Sequence, residues 1–320
     1  MNDAIQGPNS SYSNPFAVLL AGGVGGSRAA RALSAVFPDD GITVIGNVGD
    51  DERVYGVHVS ADLDTLVYAL ARIEGPHGWG VNDDTFTVMR HLSELGIPTA
   101  FRLGDRDLAT CLARTSTLDA GGTLSEATEM IRSAFGVTTR VIPASDDPVR
   151  TRIKTTGGEW LAFQEYFVER GHNDEVAEVS YDGAERAVPA PGVIEAIEAA
   201  ELAVIAPSNP PLSIEPILAI REIRRSIENK NRVVAISPLF GGKALKGPAD
   251  RVMASLGHPP GNAGMLAAYD GLITDLVVDI GDAADVDMLS GPVRIHATDT
   301  HLGTQEEAER FGTWFRATFA

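Results

Sequence analysis

The stretch AVLLAGGVGGSRAARAL, residues 17–33, constrains the fold more than any other part of the chain. Five apolar residues suffice for a buried strand, four glycines surround one valine, and a helical pattern opens at Ser27 and Arg28. A strand running through glycines into a helix is a unit of parallel α/β sheets. Glycine also lets backbone N–H groups approach an anion, and the helix amino end adds positive charge. Gly22, Gly23, Gly25 and Gly26 are therefore candidate phosphate ligands, with a ligand-free tight turn as the competing reading. Two familiar loops are excluded. Gly26 is followed by Ser27-Arg28, not by the Lys-Ser/Thr of a P-loop. The dinucleotide fingerprint needs glycine where Arg28 stands and an acidic residue where Asn47 closes the next strand.

Strand and helix patterns alternate beyond this point. Ile42–Gly46 reads as a second buried strand, and residues 62–73 as a helix with Leu63, Leu66, Val67 and Leu70 on one face. Residues 74–135 read as a mainly helical insertion, residues 137–142 as a strand, and 150–154 with 160–166 as a hairpin. Strands at 203–206 and 233–237 flank a helix at 214–228. The pattern predicts an α/β fold, Rossmann-like and doubly wound, with a mostly parallel sheet and an added helical lobe. Residues 15–320 form one domain in this reading, behind a flexible tail at 1–14. Ligands in such sheets bind beyond the carboxyl ends of the strands.

Composition narrows the function. A net charge of −18 without a basic run argues against extended nucleic-acid binding. No apolar run approaches the length of a membrane span, and the polar N-terminus lacks a signal-peptide pattern. Cys111 is the only cysteine, which excludes an intramolecular disulfide and fits a cytoplasmic protein. The seven histidines show no zinc-site spacing.

Several polar segments follow strands. Asp50 and Asp51 leave the second strand, and Asp62 and Asp64 open the next helix. Such carboxylates suit Mg²⁺ or proton transfer, while Asp62 could equally cap its helix and Asp64 complement the dipole. Arg102, Asp105, Arg106 and Asp107 stand at a helix start, where local capping accounts for the aspartates better than for Arg102. Ser208 and Asn209 could bond a base or sugar, or cap a helix. Gly241, Gly242, Lys243 and Lys246 could offset a polyphosphate or form a solvated loop. Trp79 reads as an anchor of the helical lobe or, alternatively, as a wall for a planar ligand.

Taken in order, AGGVGGSR, NVGDD, ADLDT, GWGVNDDTF, RLGDRDLAT, ASDDPVRT, PSNPPLSI and SPLFGGKALKGPAD resemble one family, the phospholactate/phosphoenolpyruvate transferases of coenzyme F420 biosynthesis (CofD/FbiA). The resemblance runs from about Ala17 to Pro260. It implies transfer of a phosphoenolpyruvyl or 2-phospholactyl group from a guanosine-diphospho donor to the ribityl hydroxyl of the deazaflavin Fo, with GMP released. It further implies Mg²⁺ and a homodimer. Carried over by motif, Asp64 and Arg102 contact Fo, and Asp50 and Asp64 hold the metal. Asp64 and Lys246 are the catalytic candidates. Gly22, Gly23, Gly25, Gly26, Ser208, Asn209, Gly241, Gly242 and Lys246 take the guanine nucleotide (GDP or GMP). The competing reading is a nucleotide-sugar-binding regulator of the related YvcK-like type.

Overall fold

The computed structural model describes residues 15–37, 41–289 and 291–320, so the expected tail at 1–14 lies outside the described residues. β1 (Ala17–Ala21) leads into α1 (Gly23–Ser34), and β2 (Ile42–Gly46) follows. A short hairpin of β3 (Glu52–Val54) and β4 (Val57–Val59) precedes α2 (Ala61–Leu70). The lobe contributes α3 (Thr87–Glu94), α4 (Asp105–Asp119) and α5 (Leu124–Ala134) before β5 (Arg140–Pro143). Next come β6 (Arg150–Thr155), β7 (Trp160–Ala162) and β8 (Val176–Asp182), then α6 (Val193–Ala199) and β9 (Leu202–Ile205). α7 (Glu215–Leu218) and α8 (Arg221–Glu228) lead to β10 (Val233–Ile236), and β11 (Leu239–Phe240) pairs with β12 (Lys243–Ala244). The chain closes with α9 (Ala249–Ser255), α10 (Asn262–Ala268), β13 (Asp275–Asp279), α11 (Asp285–Met288), β14 (Arg294–Thr298) and α12 (Gln305–Phe319).

Seven strands form one sheet in the order β14-β13-β10-β9-β1-β2-β5, every pair parallel. This is the doubly wound α/β arrangement expected from the alternating pattern. β1, β2, β9, β10 and β13 are buried along their whole length, as strands covered on both faces must be. α1 packs against both α2 and α12. The strand order reverses between β1 and β9, which is where a doubly wound sheet opens a crevice for a ligand.

Residues 74–135 are mainly helical, as the sequence predicts, whereas the hairpin at 150–166 departs from its predicted form. Residues 74–135 hold three helices separated by irregular chain, because glycines and prolines at 75–80 and 96–98 interrupt the helical pattern. Of these three helices α5 starts from a full capping box, with Thr123 and Glu126 reciprocally bonded. The hairpin at 150–166 ends its second strand at Ala162, turns into a wide helical turn over 165–169, and gains β8 as a third antiparallel strand on β6. Among the described residues no helix is long and apolar enough to cross a membrane.

Candidate active site

At the strand-order reversal, the amino end of α1 lies against the loop after β9. A side-chain methyl at Gly25 would overlap the Pro207 carbonyl oxygen, so the two backbones meet only because residue 25 is glycine. The Ser208 hydroxyl locks the contact by donating to the Gly22 carbonyl at 2.7 Å. The glycines thus serve packing as well as any ligand. Gly22, Gly23 and Gly25 line a cavity of about 570 Å³, while Gly26 is buried behind it. As the first residues of a helix, Val24 and Gly25 have N–H groups without intrahelical acceptors, and both residues face the cavity.

Asp62 does not cap its own helix. From the first turn of α2 it reaches across to α1, accepting the Gly23 N–H at 2.7 Å and the Asn47 side-chain amide at 2.9 Å. Its carboxyl lies within hydrogen-bonding reach of Asp50. Burial, opposed by the bonds from Asn47 and Gly23, raises Asp62 to about 6. Burial, with the charges of Asp62 and Asp51, pushes Asp50 well above the ordinary carboxylate range. Asp50 Oδ1 is buried without a partner. Two facing buried carboxylates with an orphan oxygen form a donor set suited to a hard cation such as Mg²⁺. Asp51 turns away, bonded to His58 at 3.0 Å and Ser60 at 2.9 Å.

Asp64 was paired with Asp50 as a metal ligand on motif grounds, but the structure brings Asp50 to Asp62 instead. Both Asp64 oxygens are taken by Arg114, one of them at 3.0 Å, in a bidentate ion pair whose arginine is 1% exposed. Burial pushes the Asp64 carboxyl up and the Arg114 charge opposes it. Burial lowers Arg114, but Asp64 more than offsets this and raises it. Asp64, Asp107 and Cys111 do place ligand atoms within 4.8 Å of one another. Burial and Asp64 raise the Cys111 thiol, however, so a protonated sulfur faces a carboxylate already engaged, and the trio is a poor metal site.

Sequence reasoning assigned Asp107 to a helix start, and the structure gives it more. It lines the cavity and accepts the Tyr68 hydroxyl at 2.9 Å. Burial and the neighbouring Asp64 charge raise it to about 7, in the range of a general base. Its spacing signal was the RLGDRD segment, which also carries Arg102. Arg102 is exposed, lines the cavity and stacks over the Phe86 ring at 4.5 Å. Trp79 is 52% exposed and lines the same cavity, so it is a wall rather than a buried anchor. Phe163, Gln164 and Phe167 face in from the turn after β7, a contribution with no sequence signal beyond scattered aromatics.

Asn209 lines the cavity with its amide nitrogen and oxygen both buried and unpartnered, and Lys246 lines it too. Ser208 is present, though its hydroxyl proton is committed to Gly22. Gly241 and Gly242 fall outside. With φ of +58° and +73° they form the two-residue turn between β11 and β12, a type I′ geometry that explains both glycines without a ligand.

Comparison with known proteins yields a consistent set of likenesses. The profile of the family described as 2-phospho-L-lactate transferase CofD matches residues 17–301. A phosphoenolpyruvate transferase from Streptomyces griseus is 43% identical over 277 residues, covering 84% of this chain and 87% of that protein. A 2-phospho-L-lactate transferase from Methanopyrus kandleri is 36% identical over 296 residues, 91% of this chain and 94% of that protein. Among solved structures, a UPF0052 family member from Bacillus halodurans superposes with a TM-score of 0.64 at 16% identity. That match covers 95% of this chain and 99% of the other.

Proposed function

The chain belongs to the 2-phospho-L-lactate transferase CofD family, and from that premise we propose a specific reaction for it. A phosphoenolpyruvyl group passes from a guanosine-diphospho donor to the ribityl hydroxyl of Fo, and GMP leaves. The enolpyruvyl donor is preferred over the lactyl one because the phosphoenolpyruvate transferase from Streptomyces griseus is 43% identical and the lactate enzyme from Methanopyrus kandleri 36%. The observation that carries the reading is a convergence on one cavity. The amino end of α1 and the Asp50–Asp62 pair line it together with Lys246, Trp79 and Arg102.

In this reading the Val24 and Gly25 N–H groups and Lys246 receive the diphosphate. The free Asn209 amide, with a donor and an acceptor, orients the nucleoside. Trp79 and Arg102 hold the flat deazaflavin by stacking and charge. The ribityl oxygen attacks the distal phosphorus, the bond to the GMP oxygen breaks, and Asp107 takes the hydroxyl proton. Lys246 meets the charge that develops on the departing phosphate. Arg114, bonded to both Asp64 oxygens, holds that carboxyl in place beside Asp107. Asp50 and Asp62 would hold Mg²⁺, which when bound supplies Lewis-acid neutralisation of the diphosphate.

The test is mass spectrometry of a reaction containing Fo, Mg²⁺ and donors made in situ by a guanylyltransferase from GTP and phosphoenolpyruvate or phospholactate, with pyrophosphate released. A metal-dependent product carrying the added phospho-acid supports the reaction, and the two-hydrogen mass difference identifies the donor. Tight nucleotide binding with no product from either donor, beside a working control enzyme, replaces the transferase by a nucleotide-binding protein of the same fold.

A further inference from the structure

Beside the main cavity lies a smaller cleft of about 210 Å³, lined by Ser27, Arg28, Glu74, Pro76, Gly78 and Gly303. The two spaces share a wall, since segment 75–80 turns His77 and Trp79 into the main cavity and Pro76 and Gly78 into the cleft. Arg28 follows Val24 by one helical turn on the same face of α1. It is half-buried, and among the described residues it makes no hydrogen bond or ion pair. The nearby carboxylates are committed elsewhere. Glu74 pairs with Arg31, and Glu307 accepts the Thr304 N–H at 2.7 Å.

Lys246 approaches from the other side of the shared wall, its Nζ donating to the His77 carbonyl at 3.2 Å. Burial lowers the Lys246 ammonium and the Arg28 charge lowers it further. In a chain of net charge −18, an unpaired guanidinium in a cleft whose lining carboxylate, Glu74, is already bonded to Arg31 marks a place for an anion brought from outside.

We propose that this cleft is the subsite for the carboxylate of the transferred phospho-acid, with Arg28 as its anchor. The inference rests on the transferase reading above. Both enolpyruvyl and lactyl groups carry a carboxylate on the carbon bonded to the ester oxygen. A donor whose diphosphate sits at the amino end of α1 therefore projects that carboxylate about one helical turn away, roughly 5 Å. Arg28 stands at that step. A guanidinium fork fits a carboxylate in a way an ammonium does not. Arg28 is thus a specificity residue that separates phospho-acid donors from plain nucleotides.

The test compares the enolpyruvyl donor with its P²-vinyl analogue, which lacks the carboxylate, on wild-type protein, Arg28→Ala and Arg28→Lys. The expected result is a loss of about tenfold or more in kcat/KM for the enolpyruvyl donor in Arg28→Ala, carried mainly by KM. The vinyl analogue should change less than about twofold, GDP affinity should hold, and Arg28→Lys should recover part of the loss. Equal losses for both donors, or none for the enolpyruvyl donor, overturn the subsite while leaving the transferase standing. A wild-type protein that turns over neither the lactyl nor the enolpyruvyl donor removes both.

Discussion

On the sheet side of the cavity, Asp50, Asp62 and Asp64 are buried, and Asp62 and Asp64 are held by hydrogen bonds from Gly23, Asn47 and Arg114. On the facing side, Trp79, Arg102 and Lys246 stand largely in solvent on irregular chain or short turns. The first wall fixes charge in a medium where a misplaced carboxylate is costly. The second offers flat and cationic surfaces that reorient at little cost. Chemistry demands the first kind of wall and recognition the second, so mutations on the two sides should separate into effects on stability and effects on substrate binding.

The largest expected effect is on the sheet side. Arg114→Ala leaves Asp64 buried without its partner and should cost about 3–5 kcal/mol in a urea titration. A loss below about 1 kcal/mol would show that the buried wall is not held by its charges, and the contrast would collapse.

A smaller effect follows from the raised carboxyls. Asp62 titrates at about 6 in the folded protein against 3.8 in the reference state, so folding favours its protonated form. Its contribution to stability is fully present below about pH 4 and is lost as pH rises through the folded value, by roughly 3 kcal/mol at 1.36 kcal/mol per unit. Asp107, at about 7, extends the window upward. The Tm of metal-free protein should therefore fall between pH 5 and 7. Added Mg²⁺ should restore more of it at pH 7 than at pH 5, because the cation favours the ionised pair. A Tm that rises across this window, or one that Mg²⁺ leaves unchanged at pH 7, removes the Asp50–Asp62 cation site.

Trp79→Ala probes the opposite wall and should do least to the fold. Stability should stay within about 0.5 kcal/mol, since the ring is 52% exposed. The KM for Fo should rise about tenfold, the scale of one lost stacking contact. A destabilised protein with unchanged KM would return Trp79 to the role of lobe anchor.

The same division governs what could be read from the sequence. β1, β2, β9 and β10 were legible because strands covered on both faces must be continuous apolar runs. β8 was not, since VAEVSYD exposes part of its length and carries no turn signal that points back to β6. β13 is apolar but stands beyond the motifs, and its place beside β10 is a matter of topology. Within the site, the glycines and aspartates were visible as types and their pairings were not. Arg114 lies fifty residues beyond Asp64 on another helix, and Asp62 finds its partners on α1 and at the end of β2. Long-range pairing of buried charges leaves no trace in local pattern. The Gly241–Gly242 turn shows the converse hazard, because backbone geometry alone can require a glycine pair that composition suggests is for a ligand.

The contact between Gly25 and Pro207 also has a consequence in time. β1 and α1 leave the ribosome early, but their partner strand β9 and the loop that closes on α1 are made much later. Until β9 docks, β1 has an open edge and the cavity has no second side. Closing so long a loop is a slow, non-local step of the kind that limits folding rate. A nascent chain that pauses before β9 exposes an unpaired apolar strand, the form most prone to join a neighbour. The residue that lets the two halves of the site touch thus also marks the moment in synthesis when the chain stops being vulnerable.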